Sequence, residues 1–340
     1  MGQTGLKVTG VPVAVLGAGA WGTAVAIALA QRHPVKLWGR NSEAMQRAQS
    51  ARENHDYLPG LPFPELLEAV HDFDAAVEYG KHGLLIAACP VAGLRPLAQK
   101  LQNYQPGHLV WLCKGFEGGA SMLPHQIVAE ELGRDFIGGA LYGPSFAQEF
   151  ARGLPCALTI ASHDPALREK VVRIAHGGSV RVYTSDDVTG VEVGGAVKNI
   201  MAIATGIADG LGLGMNARAA LITRGLAEIS RLGVALGGHA ETFMGLTGVG
   251  DLILTCTGDL SRNRKVGLGL AAGKPLQQIV DELGHVAEGV PCARSVRALA
   301  ARMQIDMPIT NAVAGVLFDG DNAREMVARL LARDPRDENA

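Results

Sequence analysis

The sequence feature that most constrains the fold is a glycine-rich segment near the start of the chain. Gly17, Gly19 and Gly22 form the pattern G-x-G-x-x-G, between a β-branched run at residues 11–16 and an alanine-rich helical pattern at residues 23–31. In such a strand–turn–helix, the first glycine permits the tight turn, the second lets the backbone approach a pyrophosphate, and the third lets the helix pack on the sheet. The segment predicts a Rossmann-type dinucleotide-binding fold; the alternative is a glycine-rich turn without a ligand.

The first half of the chain continues to alternate between strand-like and helix-like segments. Residues 84–89 and 109–113 are nearly continuous in apolar character, as buried parallel strands tend to be. The other predicted strands are 35–38, 136–141, 156–161 and 180–183, and the predicted helices are 42–51, 93–101 and one that begins at Asp164-Pro165. This alternation predicts an α/β fold with a doubly wound parallel sheet and right-handed crossovers.

The second half of the chain lacks strand signals after about residue 188. Apolar residues recur at helical spacing over residues 217–232 and again between Pro275 and Gly284. Proline and glycine are typical start and stop signals of a helix. We therefore expect a dinucleotide-binding domain over residues 8–188, followed by an all-α substrate-binding domain over residues 189–335.

Composition argues against several other classes of protein. The 340 residues include 31 basic and 33 acidic side chains, so the chain lacks the basic excess that a nucleic-acid-binding domain normally carries. The five cysteines are odd in number and widely spaced, which argues against a disulfide framework or a zinc site. No other cluster has metal-ligand spacing, so no metal is expected.

The uncharged stretch between Lys7 and Arg32 resembles a secretory or membrane-spanning segment. Pro12 and several glycines break it into two short apolar pieces, which a strand, a turn and a helix explain better. We therefore expect a cytoplasmic protein without a membrane span. Since two-fold dimers are the commonest soluble assemblies, a homodimer is the expected oligomer.

The cofactor should be selected by a residue about 20 positions after the glycine pattern. An acidic side chain there would bind the ribose 2′-hydroxyl of NADH, but the predicted strand 35–38 is followed by Gly39 and Arg40. The planar guanidinium of Arg40 can instead pair with a 2′-phosphate. This pattern favours NADPH and leaves NADH open; the alternative is an arginine exposed on a loop.

Polar side chains in otherwise apolar segments are candidates for the reaction chemistry. Lys114 follows a predicted strand at the carboxyl edge of the sheet, where doubly wound folds bind ligands, and residues 143–147 form a turn after another strand. Lys198 lies in a mostly apolar helix, so its amine must reach water, find a carboxylate or lose its proton. Asp251 is a plausible partner, which makes Lys198 a candidate proton donor or acceptor; the alternative is a structural ion pair.

A cluster of cations occupies residues 261–265, Ser-Arg-Asn-Arg-Lys, in the same region of the sequence as Thr255. Arginine side chains of this kind can clamp a phosphate through paired N–H groups. The alternative is a charged loop that is simply solvated.

Together these segments resemble one known family, the NAD(P)-dependent glycerol-3-phosphate dehydrogenases of the bacterial type. The similarity extends from residue 17 to about residue 308. Its most specific blocks are residues 143–147, 198–199, 216–225, 248–252 and 261–263. Residues 257–260, Thr-Gly-Asp-Leu, depart from the serine-rich stretch that is usual in the family.

The resemblance implies reduction of dihydroxyacetone phosphate to sn-glycerol 3-phosphate, which supplies the backbone for glycerophospholipid synthesis. Lys198 would exchange the proton, Lys114 would polarise the substrate carbonyl, and Asp251 would orient Lys198. The expected cofactor-binding residues are Gly17, Gly19, Ala20, Trp21, Gly22, Arg40, Lys114, Ala147, Arg262, Val286 and Glu288. The expected substrate-binding residues are Lys114, Gly143, Ser145, Lys198, Asn199, Asp251, Thr255, Ser261, Arg262 and Asn263.

Two other functions remain as alternatives. A reductase of a non-phosphorylated keto acid, of the β-hydroxyacid or ketopantoate type, would share the glycine pattern and a catalytic lysine, but residues 261–263 favour a phosphorylated substrate. A catalytically silent NADPH-sensing protein would have no reason to keep both Lys198 and Asp251. Hydride addition to a carbonyl generates an alkoxide, which needs a nearby positive charge and a proton source, and the two lysines supply both.

Overall fold

The computed structural model describes residues 10–284 and 287–332. These residues form two compact units. The first unit comprises the described residues up to Lys114 together with Pro124–Val188. The second comprises Gly115–Leu123 and the described residues from Thr189 onwards, so a short segment between two parts of the first unit packs with the helical unit.

The first unit is built on one eight-stranded sheet with the strand order β3-β2-β1-β4-β5-β6-β7-β8. The strands are β1 Val13–Leu16, β2 Val35–Trp38, β3 Leu67–Val70, β4 Leu84–Ala87, β5 Leu109–Trp111, β6 Gly138–Tyr142, β7 Cys156–Ala161 and β8 Val180–Ser185. In the centre, Val13 pairs with Val35 on one side and with Leu84 on the other. All residues of β1 and β4 are buried, which explains their continuous apolar character.

The helices of the first unit alternate with its strands. They are α1 Ala20–Leu29, α2 Ser42–Ala51, α3 Phe73–Lys81, α4 Val91–Leu101 with a 3₁₀ turn at Gln102–Tyr104, α5 Pro124–Leu132, α6 Ala147–Ala151 and α7 Pro165–Ala175. Asn41, Asp72 and Asp164 begin α2, α3 and α7, since each side chain accepts a hydrogen bond from a backbone N–H of the first turn. The predicted α/β architecture is confirmed.

One pair of strands departs from the predicted parallel sheet. Strand β7 runs antiparallel to β6, and β8 is parallel to β7, so the last two strands point against the first six. The connection at residues 143–155 holds only the five-residue helix α6, which is too short to return the chain along the sheet. The sheet is therefore parallel except between β6 and β7, and the predicted doubly wound parallel sheet describes its other pairings.

The described part of the second unit is helical, as predicted. Its helices are α8 Val188–Gly210, α9 Gly214–Ala235, α10 Ala240–Phe243, α11 Asp251–Thr257, α12 Arg262–Ala271, α13 Leu276–Leu283, α14 Gly289–Arg302, α15 Pro308–Ala314 and α16 Ala323–Leu331, with π-helical turns at Leu246–Gly250 and Gly315–Asp319. Among the described residues, α8 alone is long and apolar enough to cross a membrane, and its apolar window is wholly buried within the protein. Helix α8 is thus a core helix.

Helices α8 and α12 approach each other closely because neither has a side chain at the crossing. A Cβ atom on Gly206 would lie 2.1 Å from the carbonyl oxygen of Arg264, and one on Gly267 would lie 2.1 Å from the carbonyl oxygen of Ile203. No larger residue fits at such distances without moving a backbone. This contact brings the start of α12 beside the middle of α8.

Candidate active site

The glycine-rich turn between β1 and α1 fits a dinucleotide. Gly17 has a φ of +134°, and a Cβ atom there would lie 2.6 Å from the Ala88 carbonyl oxygen. A Cβ on Gly22 would lie 2.0 Å from the Gly17 carbonyl oxygen, so both glycines are required by the fold itself. A Cβ on Gly19 would meet no protein atom within 4 Å, which leaves that side of the turn open to a ligand.

The first turn of α1 can bind the pyrophosphate. Gly19 is the residue before the helix and offers no side-chain cap, and the backbone N–H groups of Ala20, Trp21 and Gly22 precede the first intrahelical hydrogen bonds. Such N–H groups and the helix dipole favour an anion. The Trp21 ring packs edge-on against Phe150 of α6 at 4.9 Å, in line with the extensive contact between α1 and α6, the helix that begins at Ala147.

The second strand ends without an acidic side chain. Trp38, its last residue, donates a hydrogen bond from Nε1 to the His71 carbonyl oxygen (3.0 Å) and packs against Phe73 at 4.9 Å. Gly39 is buried, and a Cβ atom there would lie 2.4 Å from the Met45 sulfur. Arg40 follows and is exposed, so its guanidinium is accessible to a ligand. Its role in choosing NADPH stays a prediction.

Lys114 and the turn after β6 lie together at the carboxyl ends of β5 and β6. Lys114 Nζ donates to the Gly143 carbonyl oxygen (3.2 Å) and lies 5.3 Å from the centre of the Tyr142 ring. Ser145 Oγ donates to the same carbonyl oxygen (3.1 Å). The structure thus brings Lys114, Gly143 and Ser145 into one cluster, at the edge where the sequence places them.

Lys198 and Asp251 form the buried pair that the sequence suggested. Lys198 Nζ makes a short ion pair with Asp251 Oδ1 and donates to Thr255 Oγ1 (2.9 Å). The Thr255 hydroxyl in turn donates to the Asp251 carbonyl oxygen (2.6 Å). Lys198 is 6% exposed and Asp251 1%, so the carboxylate compensates the ammonium where water is scarce. A lysine held in this way is suited to exchanging a proton.

Asn263 connects three helices beside this pair. Its Nδ2 donates to Oδ1 of Asn199, the residue after Lys198, and its Oδ1 accepts from the backbone N–H of Gly289 at the start of α14 (3.0 and 2.9 Å). Ser261 caps α12 by accepting from the Arg264 N–H (3.2 Å). The predicted phosphate-binding residues are therefore held at the N-terminus of α12, linked to the helix that carries Lys198.

Arg262 and Glu288 influence each other electrostatically. Burial raises the pKa of Glu288 to about 7, and the charge of Arg262 opposes this rise. Desolvation lowers the pKa of Arg262, and Glu288 opposes that change, although the Arg262 side chain remains accessible to solvent. No ion pair within 4.0 Å joins the two groups among the described residues, so the guanidinium can accept an anion. Val286, the other predicted cofactor contact here, lies outside the described residues.

The sequence reasoning missed Asp209. Its carboxylate, near the end of α8, pairs with both Arg218 and Arg264. The sequence did hold one indication: between Lys198 and the end of α8, Asp209 is the one charged residue. Among the described residues, no group of three His, Cys, Asp or Glu side chains could hold a metal ion, and the five cysteines form no disulfide with one another.

Two family models match the chain. They are the N-terminus of NAD-dependent glycerol-3-phosphate dehydrogenase, over residues 12–168, and its C-terminus, over residues 187–328. The chain belongs to the NAD-dependent glycerol-3-phosphate dehydrogenase family. The family suggested by the sequence motifs is thereby confirmed.

Individual dehydrogenases agree with this assignment. Glycerol-3-phosphate dehydrogenase (NAD(P)+) of Herminiimonas arsenicoxydans is 68% identical over 329 residues, which are 96% of this chain and 99% of the relative. The enzyme of the same name from Paucimonas lemoignei is 68% identical, over 96% of this chain and 98% of the relative. The crystal structure of glycerol-3-phosphate dehydrogenase from Coxiella burnetii is 41% identical, with a TM-score of 0.91 over 95% of this chain and 99% of that one.

Proposed function

We propose that this dehydrogenase reduces dihydroxyacetone phosphate to sn-glycerol 3-phosphate, reversibly, with a nicotinamide dinucleotide, and so feeds glycerophospholipid synthesis. The observation that carries the proposal is the hydrogen bond between Asn199 and Asn263. It joins the residue next to the buried Lys198 to the residue next to Arg262. A proton-carrying ammonium and a cation suited to phosphate are thus held on two connected helices.

The proton chemistry is assigned to Lys198. When bound, the reduced dinucleotide supplies a hydride to the carbonyl carbon of the substrate. The carbonyl oxygen then gains negative charge, and Lys198 donates the proton that it requires; in oxidation the neutral amine takes the proton back. Asp251 and Thr255 hold Nζ in place, and the carboxylate compensates the ammonium charge at a site from which water is largely excluded.

The substrate phosphate is assigned to the start of α12. Arg262 offers a planar guanidinium, and the first-turn N–H groups of the helix favour an anion. Asn263 and Ser261 fix the local backbone, and Lys114 with Gly143 and Ser145 is assigned to the carbonyl end of the substrate. These roles would account for Lys114 and Lys198, which lie in segments that are otherwise apolar.

The cofactor is assigned to the turn between β1 and α1, with Arg40 as the residue that favours NADPH. The remaining assigned contacts are Ala147, Val286 and Glu288.

We also propose that the protein is cytoplasmic and forms a homodimer. Cell fractionation and light scattering test these two proposals separately.

The decisive test is the initial rate with dihydroxyacetone phosphate, using NADPH and NADH side by side. Lys198→Ala should lower kcat by about 10²–10⁴-fold, the usual scale for a lost proton donor. The matched control is Lys274→Ala, which removes a lysine paired with Glu282 on the surface and should leave kcat unchanged. Turnover like the wild type in Lys198→Ala would remove Lys198 from the mechanism.

A second measurement separates a phosphorylated substrate from a keto acid. Arg262→Ala should chiefly raise the KM for dihydroxyacetone phosphate, because a phosphate contact is made in the ground state and in the transition state alike. An unchanged KM would place the phosphate elsewhere. Turnover of a non-phosphorylated keto acid in preference to dihydroxyacetone phosphate would favour the reductase alternative.

A further inference from the structure

We infer that Asp209 is a positioning residue for phosphate recognition. Its carboxylate ties the first turn of α12 to α8 through Arg264, and so fixes the orientation of Arg262. This inference rests on the proposed function, because it takes Arg262 as the residue that binds the substrate phosphate.

The geometry at Asp209 is specific. Its Oδ1 accepts from Nε and Nη2 of Arg218, at 2.8 and 2.7 Å, and its Oδ2 accepts from Nε and Nη2 of Arg264, both at 2.8 Å. Each carboxylate oxygen thus accepts two hydrogen bonds, from Nε and Nη2 of one arginine. Two bonds to the same oxygen fix the orientation of the guanidinium as well as its distance from the carboxylate. The Asp209 side chain is only 9% exposed, so water competes weakly for these bonds.

Arg264 has a second acidic neighbour that serves as an internal comparison. Its Nη1 lies 2.9 Å from Oδ1 of Asp259, but the Asp259 side chain is 97% exposed. An ion pair so open to water contributes little. Of the two carboxylates, the buried Asp209 rather than the exposed Asp259 therefore fixes the position of the Arg264 side chain.

The contact between the two helices explains why such a tie is needed. The two backbones touch at Gly206 and Gly267, where neither glycine offers a side chain to anchor the other helix, and the buried Ile203, Ile207 and Val266 belong to the same apolar core. Polar ties lie on either side of this crossing along α8: Asn199 bonds to Asn263, and Asp209 bonds to Arg264. Without the second tie, the first turn of α12 can shift relative to Lys198.

The test compares two variants that each remove one guanidinium from the same carboxylate. Arg264→Gln removes the tie between Asp209 and α12, whereas Arg218→Gln leaves that tie intact. We expect Arg264→Gln to raise the KM for dihydroxyacetone phosphate about tenfold or more with little change in kcat, since ground-state binding is lost. Arg218→Gln and Asp259→Asn should keep the KM within about twofold of the wild type, the range of typical surface effects on binding.

General damage to the fold is distinguished by three further readouts. Thermal unfolding and the Kd for NADPH should be similar in Arg264→Gln and Arg218→Gln. The kcat/KM for unphosphorylated dihydroxyacetone should be the same in both, because that substrate has no phosphate to place. If Arg264→Gln does not fold, Arg264→Lys and Arg218→Lys provide the same comparison, since lysine keeps the charge but loses the paired hydrogen bonds of the guanidinium.

Equal KM values for the Arg264 and Arg218 variants would overturn the inference. So would a loss of kcat/KM in Arg264→Gln that is as large with unphosphorylated dihydroxyacetone as with dihydroxyacetone phosphate. Failure of the proposed function gives a different result. In that case the wild type does not turn over dihydroxyacetone phosphate, or Arg262→Ala leaves its KM unchanged. Arg262→Ala is therefore included as the reference for a lost phosphate contact.

Discussion

Glu228 provides a test of how burial and helix capping compete. Its side chain on α9 is 2% exposed, and its carboxylate caps α15 by accepting from the N–H groups of Ile309 (2.5 Å) and Thr310 (3.1 Å) and from the Thr310 hydroxyl (3.1 Å). Burial raises the pKa of Glu228 to about 7, and these hydrogen bonds together with the charge of Arg231 oppose the rise. Desolvation is the larger effect.

The direction of the pKa change sets the pH dependence of stability. A carboxyl group whose pKa rises from its ordinary 4.5 to about 7 on folding binds more protons in the folded state between those values. It therefore stabilises the fold fully below about pH 4.5, and this contribution is lost as the pH rises through 7. At about 1.4 kcal/mol per pKa unit, the full loss amounts to about 3.5 kcal/mol.

Glu228→Gln isolates this contribution, because the amide resembles the protonated carboxyl group and does not titrate. We expect the free energy of unfolding of Glu228→Gln, relative to the wild type, to increase by about 2.5 kcal/mol between pH 5 and pH 8.5. Urea unfolding followed by circular dichroism at several pH values measures the difference. Glu241→Gln, at an exposed carboxylate, is the control for the loss of one acidic side chain at the surface. If instead the wild type becomes more stable relative to Glu228→Gln as the pH rises, the helix-capping bonds outweigh desolvation, and the predicted direction is wrong.

Three further predictions concern ligand binding. Arg40→Gln should raise the KM for NADPH by about tenfold and leave that for NADH unchanged, as expected for loss of a charged hydrogen bond to a 2′-phosphate; equal changes would assign Arg40 another role. Glu288→Gln should remove a rise in the KM for dihydroxyacetone phosphate above about pH 7, where the ionised carboxylate offsets the charge of Arg262; a pH profile like the wild type would contradict this. Gly22→Ala should abolish tight NADPH binding in a titration, because its Cβ would lie 2.0 Å from a carbonyl oxygen, whereas Gly107→Ala has open space and should bind normally.

The elements that the sequence predicted best have local signals. Helices α2 and α13 have the predicted bounds, and so do strands β2 and β7. Asn41 begins α2 as a side-chain cap, and Gly284 ends α13 with a φ of +67°. Such signals lie within a few residues of the boundary that they set.

Neither strand β3 nor helix α3 was predicted, and for β3 the reason is physical. Strand β3 has four residues at the edge of the sheet, and Glu68 within it is exposed, so its apolar signal is short and interrupted. The reversal of β7 also left no sequence signal, because it depends on how little helix the connection at residues 143–155 contains. Pairing partners outside the segment decide both features.

The same distinction applies to the site. A lysine in an apolar helix predicts that a partner exists, and Asp251 could be suggested because it too lies among apolar residues. Asp251 lies 53 residues after Lys198 in the sequence, and the structure brings the two side chains into contact. Asp209 gave no comparable signal, because a carboxylate near the end of a helix is ordinarily solvated. Only the tertiary structure shows that Arg218 and Arg264 enclose it.

Helix α8 shows how these residues are organised along one element. At about 100° per residue, Lys198, Asn199, Gly206 and Asp209 all fall within a sector of about 100°. The other residues of the helix are largely apolar and buried, so the mean hydropathy of α8 does not show that polar side chains lie on one face. A polar stripe inside a core is tolerated only where every member has a partner. Here the partners are Asp251, Asn263 and Arg264, and Gly206 provides the close approach that lets α12 reach them. The chemistry and the packing of α8 therefore constrain the same side of the helix, and a substitution at Gly206 should disturb phosphate binding as well as stability.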